Sequence, residues 1–93
     1  MRTKALVLGA LPVPFEGPWV PIAEARVWRC RVMTQPRRIN LRGELSLEVM
    51  LSNGSVTPVP VLPETEIAGE MARVILSREI DDVRHLTVIL EEA

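Results

Sequence analysis

The sequence predicts an α+β domain: an antiparallel sheet of four or five strands, one packed helix at about 64–78, and a proline-rich extended N-terminal segment. Three observations carry that expectation. Asn53-Gly54 lies between two alternating apolar runs, a strong short-range hairpin signal. After Pro63 the period changes, and Ile67, Met71, Val74, Ile75 and Arg78 fall at helical spacing. Pro12, Pro14, Pro18 and Pro21, with Gly9 and Gly17, forbid a helix near the start.

The elements follow in order. Lys4–Leu8 reads as a buried strand. Arg2 and Lys4 before Ala5–Val13, with Ala23-Glu24-Ala25 beyond, also outline a secretory signal; Pro12, Pro14, Glu16 and Glu24 argue against it. Residues 9–23 are too apolar for a solvated linker, since they hold Leu11, Val13, Phe15, Trp19, Val20 and Ile22. They are expected to lie extended along the body of the domain. Residues 25–33 and 38–51 alternate, and pairing Val32 with Ile39 sorts them into two faces. Trp28, Cys30 and Val32 then point inward with Ile39, Leu41 and Gly43, while Arg29, Arg31, Arg38 and Arg42 point out.

In the second hairpin a two-residue type I′ turn pairs Leu51 with Val56. It sets Pro58 opposite Val49 and Pro60 opposite Leu47, at positions where no N–H is needed. Residues 56–62 become an edge that proline closes to further pairing. Glu64, Glu66 and Glu70 suit the start of the predicted helix and Arg73 and Arg78 its end, although Gly69 weakens it. Val83–Leu90 closes the sheet, with Leu86, Val88 and Leu90 on one face, while Ile89 on the other suggests burial on both sides.

Ninety-three residues, 47% apolar and 25% charged, specify one domain, 1–93, with an aliphatic core. The charge is segregated. Arg26 to Arg42 carries six arginines and no acid. Residues 1–43 hold eight basic and two acidic side chains, a balance of +6; residues 44–93 hold three and ten, a balance of −7. Such asymmetry speaks about partners. The expected contact surface is Arg29, Arg31, Arg37, Arg38 and Arg42, with Met50, Val59 and Val61 as an outward apolar patch.

The function expected from this pattern is a non-catalytic interaction or assembly subunit. It docks through the arginine hairpin face onto a second copy or an acidic protein, with the basic ribbon of one copy meeting the acidic helix of the next. Own-chain pairing of the arginines is expected to be limited, with only Glu44 and Glu48 in reach. The alternative is a small nucleic-acid-binding domain using the same arginines to hold phosphate; the sequence pI of 5.8 and the lack of stacking aromatics weigh against it.

Catalysis and metal binding find no support in spacing. His85 has no second histidine or cysteine near it in sequence, and Cys30 is assigned inward beside Trp28. Asp81-Asp82 and Glu91-Glu92 are adjacent and so point to opposite sides of a strand. No cofactor is expected. A single cysteine favours a reducing compartment, hence a cytoplasmic protein, and no apolar run approaches the ~20 residues of a membrane-spanning helix.

Overall fold

Every regular element found is a β-strand. The computed structural model describes residues 1–9, 14–35, 44–62, 64–77 and 85–93. In chain order the strands are β1 (Thr3–Gly9), β2 (Phe15–Glu16), β3 (Val20–Pro21), β4 (Trp28–Gln35), β5 (Leu45–Met50), β6 (Val56–Pro60), β7 (Glu66–Ile67), β8 (Met71–Leu76) and β9 (His85–Glu92). They form two antiparallel sheets. One has the order β1-β9-β4-β7; the other runs β2-β8-β5-β6, with β3 also on β8.

The inner faces of both sheets supply one hydrophobic cluster. Leu6, Val7, Trp28, Cys30, Ile67, Leu86, Val88 and Leu90 enter from the first sheet, and Leu45, Leu47, Val49, Ala72, Val74 and Leu76 from the second. Each long strand alternates in register with that burial, as a sheet with one dry face requires. β1 departs once. Its pairing with β9 shifts between Ala5 and Val7, and this bulge lets consecutive Leu6 and Val7 both reach the core.

The architecture is therefore all-β, and the predicted α+β fold is corrected. No helix occurs among the described residues. Where a helix was expected to begin, the Thr65 N–H donates to the Leu62 carbonyl at 3.1 Å and Glu64 stands at φ 66°. β8 then runs at period two, with Ala72, Val74 and Leu76 inward. The misreading has a physical origin. Met71–Leu76 is apolar at every position but Arg73, and its apolar residues satisfy helical and strand spacing alike. Two signals favoured the strand: β-branched Val74 and Ile75, and Gly69. A Cβ at Gly69 would lie 2.6 Å from Val49 Cγ1 and 2.9 Å from the Met50 carbonyl oxygen. Glycine is needed there for the chain to approach β5, where the Glu70 N–H donates to Met50 O at 2.8 Å.

The β5–β6 hairpin exists, but one residue out of the predicted register. Met50 faces Val56, so Pro58 lies opposite Glu48 and Pro60 opposite Ser46. The Gly54 N–H donates to Leu51 O, the Leu51 N–H to Ser55 O, and Gly54 sits at φ 85°. This is a type I turn followed by a left-handed glycine, a three-residue loop. Asn53 keeps a negative φ and spends its side chain on Ser55, accepting from the backbone N–H at 2.9 Å and from Oγ at 2.6 Å. The prolines still fall where no donor is missed, because bonded and non-bonded pairs alternate from the Leu51–Ser55 pair.

The pairing expected for the strand over 38–51 is corrected for its described part, Leu45–Met50. β4 pairs with β9 along its whole length and with β7 at Trp28 and Arg29, whereas β5 belongs to the other sheet. Ile39, the partner predicted for Val32, lies outside the described residues, as do Leu41 and Gly43.

A Gly69→Ala variant separates the two architectures by sign. In a helix it would stabilise by about 1 kcal/mol. Here the new methyl group meets Val49 and the Met50 carbonyl, so chemical denaturation should show a loss of about 1–3 kcal/mol.

Candidate docking interface

The sheets differ in what lies on their outer faces. Residues 14–22 run as a strap along the free edge of β8, with Trp19 turned onto that sheet's outer face. Phe15–Glu16 and Val20–Pro21 pair with β8, and between them the Gly17 N–H donates to Val74 O at 2.7 Å. Arg73 fastens this strap. Its guanidinium lies 4.6 Å over the Trp19 ring, bonds Glu48 Oε1 through Nη2 at 2.6 Å and Nε at 2.9 Å, and reaches Glu16 at 3.9 Å. The predicted extended course of the proline-rich segment is found here, as two short strands split by a kink.

The outer face of the β1-β9-β4 sheet carries no such strap among the described residues. Its side chains fall in rows across the strands, fixed by the register. Thr3, Glu91, Arg29 and Glu66 form one row; Ala5, Ile89 and Arg31 the next; then Leu8, Thr87 and Met33; and last His85 with Gln35. Leu8 is 64% exposed and Met33 50%, and the Ala5–Ile89 row lies beside them. An apolar centre is thus flanked by charge at one end and by His85 at the other, whose Nε2 lies 3.1 Å from Thr87 Oγ1.

The sequence-predicted contact residues divide. Arg29 and Arg31 point outward on β4, as expected, with Trp28 and Cys30 buried behind them. Arg37, Arg38 and Arg42 lie outside the described residues. Met50 faces outward on the other sheet, between Val56 and Met71. Val59 and Val61 do not join it. The one-residue shift of the hairpin turns them inward, where they pack against the core, and Val59 also lines an apolar groove of about 270 Å3 beside Val49 and Ile67.

The expectation of few internal partners for the arginines is corrected too. Arg31 Nη1 reaches Glu91 Oε1 at 3.1 Å, and Arg29 Nη2 reaches Glu66 Oε1 at 3.5 Å. Both acids come from strands far away in sequence, so counting along one hairpin could not find them. Exposed pairs of this kind contribute about 0–1 kcal/mol each; their main effect is to make the face locally neutral. At the inner side of β1, Lys4 Nζ bonds Glu24 Oε1 at 2.8 Å and thereby holds that carboxyl below its usual 4.5. The side chain of Arg2 also bonds the Glu24 carbonyl.

Sequence reasoning missed Leu8, Glu66 and Glu91 as members of this face, and set Ile89 opposite Leu86, Val88 and Leu90 without placing it beside Arg31. Only the β1–β9–β4 pairing assembles them, and Leu8 turns outward because of the bulge. A nucleophilic Cys–His pair is not assembled: Cys30 faces the core from β4, and His85 faces outward from β9. Among the described residues no cluster of His, Cys, Asp or Glu suits a metal ion, and no helix is long and apolar enough to cross a membrane. Comparison with protein-family models, curated proteins and solved structures gave no match.

Burial pushes the Cys30 thiol up to about 11, through desolvation of the thiolate. In native protein at pH 8, Cys30 should therefore resist iodoacetamide, and it should react at the rate of a free thiol once the chain is unfolded. Rapid labelling of the native protein would show that the β4 core face opens.

Proposed function

We propose that the chain is a non-catalytic protein-docking subunit that uses the outer face of the β1-β9-β4 sheet. The observation that carries this reading is the row Leu8–Thr87–Met33, two large apolar side chains left half or more exposed on a flat strand surface. Arg29 and Arg31 border it. Methionine and arginine are enriched in protein interfaces, where a dry centre is ringed by polar groups. On the second outer face Trp19 of the strap lies over Arg73, and the greater exposure of Leu8 and Met33 favours the first sheet's face as the contact surface.

The geometry weighs against phosphate recognition by Arg29 and Arg31. Glu66 and Glu91 are in ion-pair contact with them, and a phosphate would have to displace or approach a carboxylate. Ile89 and Met33 lie where a nucleic-acid surface would place further cations or flat aromatic rings.

Fluorescence anisotropy with a labelled duplex of about 20 bp at about 50 mM salt tests the class of partner. The expected result is no saturable binding below about 100 µM protein. Micromolar binding that weakens steeply with salt and disappears in Arg29→Glu/Arg31→Glu would overturn the reading and assign the face to nucleic acid.

A further inference from the structure

Resting on that reading, we propose that the partner on this face is a second copy of the chain, held face to face about a two-fold axis. The pattern of the rows supplies the argument. Among the described residues the face carries Arg29 and Arg31 against Glu66 and Glu91, so its charge is balanced internally. An acidic partner would meet two carboxylates at the same place as the two guanidinium groups. An identical neutral face meets no net repulsion.

The rows are also self-complementary. Place the axis in the plane of the contact, across the strands, midway between the Ile89 and Thr87 rows. Leu8, Thr87 and Met33 of one copy then lie over Ala5, Ile89 and Arg31 of its mate, within the roughly 30° offset that sheet twist imposes. Leu8 meets Ala5, Thr87 meets Ile89, and Met33 covers the methylene stem of Arg31. At the margins His85 and Gln35 of one copy lie over Glu91 and Arg29 of the other. Every contact occurs twice, as an isologous interface demands.

The strand edges point the same way. β6 carries Pro58 and Pro60, and the strap carries Pro18 and Pro21, so the edges of the second sheet resist strand addition. In the first sheet β7 is two residues long, while β1 is bulged and holds Lys4 on its core-facing side. Extension is disfavoured at β6, at the strap and at β1, which favours contact through the face.

Area sets the strength. β4 and β9 are eight residues long, so the three paired strands span about 26 Å by 14 Å, below the ~800 Å2 per partner of a standard interface. The dimer is accordingly weak, with a dissociation constant in the micromolar range or above.

Sedimentation equilibrium of the full chain from about 10 to 500 µM tests this, with Met33→Glu and Leu8→Glu measured alongside. The native chain should pass from 10.4 kDa towards twice that mass as concentration rises. Each variant should weaken dimerisation by about tenfold or more, with unchanged circular dichroism because both positions are exposed. Raising salt from about 50 to 500 mM should leave the dimer in place. A monomer at about 500 µM would overturn self-pairing while leaving the docking reading to the duplex experiment. A dimer indifferent to both substitutions, or one dissolved by salt alone, would overturn self-pairing on this face and the choice of the face itself.

Discussion

The indole of Trp28 holds the two sheets in one relation. It is fully buried, and its Nε1–H donates to the carbonyl of Ile22 at 2.5 Å. Ile22 is itself fully buried, and its N–H donates to Glu70 O at 2.9 Å just before β8. One ring on β4 is thus connected through two hydrogen bonds to the opposite sheet. A buried indole without an acceptor loses a hydrogen bond it had in water, at a cost of about 1–3 kcal/mol. Satisfying that donor fixes where the strap ends and how far β4 stands from β8.

The outward face depends on this arrangement. With Trp28 inward, alternation sends Arg29, Arg31 and Met33 out, and the β4–β9 register then brings Glu91, Ile89 and Thr87 beside them. The bulge in β1 adds Leu8 to the same row. Core packing and surface chemistry are therefore one constraint seen from two sides of a strand, because a slip that moved the arginines would also expose the indole.

The strap and the edges complete the design. Arg73 joins Trp19, Glu48 and Glu16 on the outer side of β8, which anchors a segment that proline prevents from becoming a regular strand. Two of those partners are carboxylates and one is an aromatic face, so the guanidinium is held by charge and by stacking together. Among the described residues the result is a small two-sheet sandwich with prolines at the edges of the second sheet and the Leu8–Met33 row presented to solvent on the first.

What the sequence determined by itself is local. The alternation of β4 and β9 was legible, because Trp28/Cys30 and Leu86/Val88/Leu90 repeat at period two, with Ile89 the one apolar residue between them. The hairpin at Asn53-Gly54 and its proline-closed edge were legible too, from the preference of glycine for positive φ and the missing proline donor. The turn length was not. Whether Asn53 itself takes positive φ depends on its bonds to Ser55, and that single residue decides which way Val59 and Val61 face. β8 was illegible because its five apolar residues around Arg73 fit two periods, and only the close approach of Gly69 to β5 selects one. The pairing of Arg29 and Arg31 with Glu66 and Glu91 was beyond reach for a different reason. Each pair joins residues 37 or 60 positions apart, and no local pattern encodes which strands become neighbours. Charge segregation was written in the chain; its neutralisation on one face was decided by tertiary structure, because strand order alone determines which charges meet.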